Sequence, residues 1–367
     1  MPAAALGAGT LRRLSRLQTQ GHRLLSLYLD LDASRFPTPA ARDAQLSALL
    51  SHAGAHDSSA ERVRDLLRAR PDLVRDAQGL AIFSCADGGA LEAVALPQTV
   101  EPMAVVDSVP WLEPLAAMVS SENWGVAVVS RRAARLFRGG PRSLIEFSTV
   151  DDELHRRHAQ GGWSQARFQR GIEQQVAEHA RHTAQRMLRA HRRHPFDQII
   201  VVAADELWPV VEASLDGDLR DRLAGQIALD LEHATEGEIA RAVAPIVDAA
   251  ERQRERELVA RLDEALGTGG PAAAGLDEVL ATLEQQRVEL LILAAGASLT
   301  ARLCPRCDRL SAPGDGRCSL DGATLGHVDA VEHAVGRAAR ASVDVVVVHH
   351  EIAALRERGL IAALLRW

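Results

Sequence analysis

The chain has no lysine: its 42 lysine-or-arginine positions are all arginine, and Asn123 is its only asparagine. This skew reflects a GC-rich coding sequence before it reflects a function, although guanidinium groups suit phosphate contacts well. Cysteine is sparse, with Cys85, Cys304, Cys307 and Cys318 the only four. No apolar run approaches a membrane span, and the N-terminus lacks the continuous apolar stretch of a signal peptide. A cytoplasmic site is therefore expected, where thiols stay reduced and free for metal. Nucleotide-binding signatures are missing too. Gly7-Ala8-Gly9-Thr10 lacks the lysine of a P-loop, and no Gly-x-Gly-x-x-Gly follows a strand-like run. What is left, 47% apolar and 25% charged over 367 residues with a net charge of −7, is an ordinary soluble composition with room for two or three domains.

Three segments emerge along the chain, 1–118, 119–250 and 251–367. In each, strand-like runs alternate with helical ones, which predicts an α/β fold of three layered domains. The first segment offers strands at Leu25–Leu31, Leu80–Phe83 and Leu91–Leu96, with helices near Leu11, around Gln45–Ala53 and at Ser59–Arg68. The second pairs strands Gly125–Ser130 and Ala134–Arg138, returns to a buried strand at Gln198–Ala203, and predicts a further strand at Ile227–Glu232. A long charged helix runs from Glu236 past Leu266. The third segment reads as a strand at Leu290–Ala294, a Cys-rich insert at 302–328, a helix at Val328–Arg340, a strand at Val343–His349 and a terminal helix-turn.

The most informative stretch lies between the hairpin and the buried strand. Gly161-Gly162-Trp163-Ser164-Gln165 joins a Gly-Gly pair, able to bring backbone close to a ligand, to a helix. Phe168, Ile172, Val176, Ala180, Thr183 and Met187 recur at helical spacing, so an amphipathic helix is expected from about Ala166 to the Pro195 that stops it. Between His155 and His194 nine arginines stand against two acids, a balance of +7 in a chain of net −7, and six histidines share the run. A basic run is often just a solvated helix face. Here it adjoins a Gly-Gly loop and opposes the charge of the whole chain, which points to a phosphate backbone, and to RNA in particular.

These residues resemble a known family. Gly-Gly-x-Ser-x-x-Arg-Phe-x-Arg is similar to the central loop of the archaeo-eukaryotic class I peptide chain release factor and Pelota superfamily. Further likenesses are Gly79-Leu-Ala-Ile-Phe-Ser-Cys with Val100-Glu-Pro, Trp124-Gly-Val-Ala-Val-Val-Ser with Ala134-Arg-Leu-Phe-Arg-Gly, Val288-Glu-Leu-Leu-Ile-Leu, and Gly359-Leu-Ile-Ala-Ala-Leu-Leu-Arg-Trp. The resemblance covers most of the chain and extends to a bacterial branch of the superfamily. It implies that 1–118 is like the family's first domain, 119–250 like its central one and 251–367 like its third. Trp163 stands where the family's release factors carry glutamine after the two glycines. Gly162-Trp163-Ser164-Gln165 instead resembles the Gly-x-x-Gln loop of a branch that frees nascent chains from transfer RNA on stalled ribosomes.

On that resemblance Gly161, Gly162 and Gln165 are the candidate catalytic residues for hydrolysis of the peptidyl-tRNA ester. A glutamine amide has no titratable group near neutral pH; it can orient a water while backbone N–H groups stabilise the oxyanion. The plainer alternative for Gln165 is the first polar residue of a helix. Candidate RNA contacts are Trp163, by stacking on a base, and Arg156, Arg157, Arg167, Arg170 and Arg181. The implied partners are the ribosome, ribosomal RNA, peptidyl-tRNA and a translational GTPase for delivery; a membrane is not among them. The first segment carries Arg35-Phe-Pro-Thr-Pro-Ala-Ala-Arg in place of the family's Asn-Ile-Lys-Ser loop, so stop-codon reading is not expected. Two functions follow, a peptidyl-tRNA hydrolase of termination or rescue and, favoured by Trp163, a non-hydrolytic factor that occupies the acceptor site in dormancy.

A second constellation is Cys304-Pro305-Arg306-Cys307 followed by Cys318-Ser319-Leu320-Asp321. Cys-x-x-Cys places two thiolates on one metal, and a third cysteine one short loop later suits a zinc ribbon. Asp321 stands at the place of the fourth cysteine, with His327 the other candidate. A structural Zn2+ at Cys304, Cys307, Cys318 and Asp321 is expected. Cys85 reads as a buried thiol, and His349-His350-Glu351 as a structural strand end.

Overall fold

The computed structural model describes residues 6–17, 23–32, 35–55, 57–74, 77–85, 89–120, 122–140, 143–151, 165–229, 234–314 and 316–367. It is a mixed α/β chain in two compact units, Met1–Ser121 with Glu251–Trp367, and Glu122–Ala250.

The first unit opens with helix α1 (Ala8–Leu14), strand β1 (Leu24–Asp30), helices α2 (Pro39–His52) and α3 (Asp57–Ala69), strands β2 (Gly79–Cys85), β3 (Leu91–Leu96) and β4 (Met103–Asp107), and helix α4 (Glu113–Ser120). The strands make an antiparallel sheet in the order β3-β2-β1-β4. β1 is buried along its whole length because both faces are covered. Leu25, Leu27 and Leu29 join Leu46, Leu50 and Val63, and the alternate residues Leu24 and Tyr28 join Phe83, Leu112 and Leu115, the period-two division of a strand. The Tyr28 hydroxyl donates to the Trp111 carbonyl at 2.6 Å. After β1, Arg35 reaches back to the fully buried Asp30 carboxylate at 2.6 Å, and Thr38 caps α2 by accepting the Ala41 N–H. The segment offered by sequence in place of a decoding loop is thus tied to its own strand.

The second unit holds β5 (Trp124–Val129), β6 (Ala133–Gly140), β7 (Ser143–Asp151), α5 (Gln165–Arg193), β8 (Gln198–Ala203), α6 (Trp208–Ser214), α7 (Gly217–Arg220), β9 (Leu223–Ile227) and the first half of α8 (Glu236–Gly267). Its sheet runs β7-β6-β5-β8-β9, with β5, β8 and β9 parallel. One face packs on α5 and α6 through Ala180, Ala184, Met187, Phe196 and Val211. The other packs on α8 through Ile239, Val243 and Val247. α5 presses so closely on β5 that a Cβ at Gly125 would lie 2.5 Å from Met187 Cε and 2.9 Å from the Phe196 ring. The strand expected at Ile227–Glu232 ends at Ile227. Its apolar content sits earlier, in Leu223–Ile227, where the chain pairs with β8; residues 230–233 lie outside the described ones.

The remainder of α8 returns to the first unit, followed by β10 (Ala272–Ala274), α9 (Leu276–Glu284), β11 (Val288–Ala294), β12 (Thr300–Leu303), β13 (Leu310–Ser311), β14 (Gly326–Asp329), α10 (Ala330–Ala341), β15 (Asp344–Val348), α11 (Ile352–Arg356) and β16 (Ile361–Leu365). The main sheet here is β10-β16-β11-β15, and β13-β12-β14 form a small separate sheet. The expected terminal helix-turn is met by α11 after β15, but it is not terminal: the last apolar run is β16, a buried inner strand antiparallel to β11. Gly359 (φ 78°) and Leu360 (φ 67°) take the left-handed conformation and end α11, so the run that follows emerges extended. Residues of the first and third segments share one core, in which Leu14, Leu112 and Leu115 meet Val331, Val335 and Ala338.

Candidate metal centre and basic helix

Two tight turns build the cysteine cluster, and they repeat each other residue for residue. The Cys304 N–H donates to the Arg309 carbonyl at 3.0 Å and the Asp308 N–H to the Cys304 carbonyl at 3.1 Å. In the second turn the Cys318 N–H donates to the Ala323 carbonyl at 2.8 Å and the Gly322 N–H to the Cys318 carbonyl at 2.9 Å. Each turn needs a left-handed residue at the same place, Asp308 (φ 57°) in one and Gly322 (φ 70°) in the other. Cys307 and Asp321 therefore occupy equivalent positions.

The ligand atoms of Cys304, Cys307, Cys318 and Asp321 all lie within 4.8 Å of one another. Cys307 Sγ is 3.6 Å from Cys318 Sγ, and Cys304 Sγ is 3.5 and 3.4 Å from the two Asp321 oxygens. Ligands about 2.3 Å from a tetrahedral zinc sit roughly 3.8 Å apart, so the four donors have nearly the spacing of a tetrahedron's edges. Charge argues the same way. Burial works against a Cys304 thiolate, yet the Cys307 and Arg306 N–H groups point at its sulfur and its pKa falls below the usual thiol value. For Cys307 the Arg309 N–H favours the thiolate, but the neighbouring Cys304 sulfur, desolvation and Cys318 push the thiol up to about 11. Four acidic donors this close cannot all ionise without a cation among them. His327, the other candidate ligand, lies exposed on β14 opposite Arg302 and outside the cluster.

The loop residues Gly161, Gly162 and Trp163, with Arg156 and Arg157, lie outside the described residues. Gln165 is the first residue of α5 and Arg167 lies in its first turn. Arg170 and Arg181 are exposed. α5 carries seven arginines and two glutamates, and beyond the expected contacts its open side adds Arg186, Arg189, Arg192 and Arg193, all exposed. Among the described residues no carboxylate pairs with Arg181, Arg186, Arg189, Arg192 or Arg193. The histidines of the run divide. His182 and His194 are exposed, while His179 and His191 are buried, and His191 Nδ1 accepts the Phe196 N–H at 3.1 Å. His191 is thus part of the core. Helical spacing holds enough information to make that division, since positions 179, 183, 187 and 191 fall on one face.

His349-His350-Glu351 is likewise structural. Its three backbone N–H groups donate to the buried Glu255 carboxylate at 2.8, 2.6 and 3.0 Å. Glu255 escapes sequence reading because it lies in the middle of a charged helix. No helix among the described residues is long and apolar enough to cross a membrane.

Residues 110–264 match the family described as bacterial archaeo-eukaryotic release factor family 10. The peptide chain release factor subunit 1 of Methanopyrus kandleri is 25% identical over 332 residues, covering 81% of this chain and 76% of that protein. The central part of this chain is thus similar to a release-factor family, and most of its length to an archaeal release factor. The family match spans the Gly-Gly loop and the whole of α5 and ends before the cysteine cluster. Among solved structures, Pelota of Archaeoglobus fulgidus is 14% identical, with 78% of this chain and 79% of that one covered and a TM-score of 0.34. An archaeal translation termination factor is 19% identical, with 99% of both chains covered and a TM-score of 0.25.

Proposed function

We propose that this chain is a member of the release-factor/Pelota superfamily that acts in translation termination or rescue, and that its central segment carries Gly161, Gly162 and Gln165 to the ester joining a nascent peptide to transfer RNA. The observation that supports this most is the arginine-rich open side of α5, directly after the loop and inside the matched residues 110–264. In a chain of net charge −7, a helix face on which Arg181, Arg186, Arg189, Arg192 and Arg193 pair with no carboxylate among the described residues suits a polyanion. The name of the Methanopyrus kandleri relative, peptide chain release factor subunit 1, agrees with that partner being the ribosome.

In this reading Arg156, Arg157, Arg167, Arg170 and Arg181 neutralise phosphates and Trp163 stacks on a base. The Gln165 amide orients the attacking water, so that catalysis is mostly positioning and exclusion of bulk solvent. A translational GTPase delivers the protein to ribosomes holding peptidyl-tRNA. The segments 1–118, 119–250 and 251–367 are its functional domains. Cys304, Cys307, Cys318 and Asp321 hold a structural zinc ion: four donors complete a tetrahedron and leave no open position for chemistry.

The deciding experiment is release of labelled peptide from purified ribosomes carrying peptidyl-tRNA. Wild type releases peptide, while Gln165→Ala and Gly161→Ala slow release by at least about tenfold with ribosome binding retained. Trp163 supports a second reading, a non-hydrolytic occupant of the acceptor site. Wild-type protein that binds ribosomes and releases nothing would establish that reading and overturn the first.

A further inference from the structure

The two cysteine turns, the end of α9 and one side of α10 enclose an open cleft of about 520 Å³. It lies in the first unit and, apart from Cys307 on its wall, holds none of the residues used in the function proposed above. Three guanidinium groups line it, Arg309, Arg337 and Arg340, together with the apolar Leu283, Leu320 and Ala341. Two of the three charges are compensated. Glu284 lies 3.4 Å from Arg337 and 3.7 Å from Arg309, and Asp308 stands 3.7 Å from Arg337.

Arg340 differs. Its Nη1 donates to the Ser15 carbonyl at 3.0 Å, and among the described residues no carboxylate pairs with it. Partial desolvation and the like charge of Arg337, one turn earlier, hold its pKa below the ordinary arginine value. A guanidinium crowded by its own sign at the wall of a concavity favours an incoming anion. Leu320 narrows what kind of anion. It is 69% exposed, the most exposed large apolar side chain among the described residues, and its place in the second turn sets it at the cleft wall. A bare phosphate would leave Leu320, Leu283 and Ala341 in water. A peptide that carries a carboxylate beside a large apolar side chain satisfies both halves of the wall.

We propose that this cleft docks an acidic peptide segment of a partner protein, its carboxylate against Arg340 and an adjacent leucine-like or aromatic side chain against Leu320. The proposal is independent of the loop chemistry and concerns a different unit.

The test pans a random peptide library on the full-length wild-type protein, with depletion on the Leu320→Asp variant. Enriched peptides should place Asp or Glu next to Leu or Phe. By fluorescence anisotropy they should bind wild type at least about tenfold more tightly than Leu320→Asp or Arg340→Gln. Leu320 is exposed, so its variant remains a folded control even if Arg340→Gln unfolds through loss of the Ser15 contact. Failure to recover any peptide that separates wild type from Leu320→Asp overturns the proposal. So does binding of oligouridylate or inorganic phosphate that depends on Arg340 and ignores Leu320, which would make the cleft a simple anion seat.

Discussion

The arginines on the open side of α5 make a quantitative prediction about salt. Arg186, Arg189 and Arg193 follow one another at spacings of three and four on one helix, so they share a face and span about 10 Å of its axis at roughly 1.5 Å per residue. Phosphates along one strand of a duplex rise by about 3.4 Å each, so that span matches roughly three of them. Replacing all three residues by glutamine keeps helix propensity almost unchanged and removes three charges that no carboxylate among the described residues offsets. Each lost phosphate contact lowers the slope of log K against log salt by about 0.9, giving a change of about 2.7 for the triple variant. Extrapolated from 1 M to 0.15 M salt, that is about fivefold in affinity per arginine and on the order of a hundredfold for three. The assay is ribosome binding by the wild type, the triple variant and Arg131→Gln across a salt titration. Arg131 is the control, because it is exposed in the same unit but pairs with Glu206 at 3.3 Å. An unchanged slope in the triple variant, or an equal change in the control, refutes the assignment of this face to phosphate.

Two further outcomes follow from the first unit. Purified protein should contain close to one zinc per chain, and Cys318→Ser should lose it at least about tenfold more readily to a chelator, whereas Asp321→Cys should hold it at least as firmly as wild type; metal-free wild type with an unchanged melting temperature would contradict a structural metal. Glu332 concerns pH. Its buried carboxylate accepts the Leu112 and Glu113 N–H groups, yet burial raises its pKa well above the ordinary 4.5 despite those bonds, with Glu113 and Asp329 adding to the rise. A carboxyl whose folded-state pKa exceeds its unfolded value contributes stability that is complete below the unfolded pKa and is lost as pH rises through the folded one. Melting temperature should therefore fall from about pH 4.5 upward more steeply in wild type than in Glu332→Gln, and equal slopes would show that Glu332 does not govern the loss.

Legibility in the sequence followed how local each cause was. Gln198–Ala203 was readable to the residue because all of it after Gln198 is apolar and it is bounded by Pro195 and Asp205. The terminal Ile361–Leu365 run was equally apolar, but five buried residues have no periodicity that separates strand from helix. What decides it is the left-handed pair Gly359-Leu360 and an open place beside β11, neither visible in a window. Strands β4 and β7 were missed because Met103–Asp107, and Ser143–Asp151 apart from the buried Leu144, are at most partly buried where they are described, so their patterns carry little contrast. Glu255, Glu332 and the Arg340 cleft depend on residues tens to hundreds of positions apart and have no local signature. The cysteine cluster is the instructive contrast. Asp321 is an unusual companion for three cysteines, yet its place in the cluster follows because the chain makes the same turn twice, Cys304 to Arg309 and Cys318 to Ala323, with matching hydrogen bonds and a left-handed residue at the equivalent place. A repeated backbone motif fixes where the fourth side chain must point whatever its chemistry. That is why the Cys-x-x-Cys spacing repeated from Cys318 brings Asp321 into the cluster, and why the nearby His327, four residues beyond the second turn on an edge strand, lies outside it.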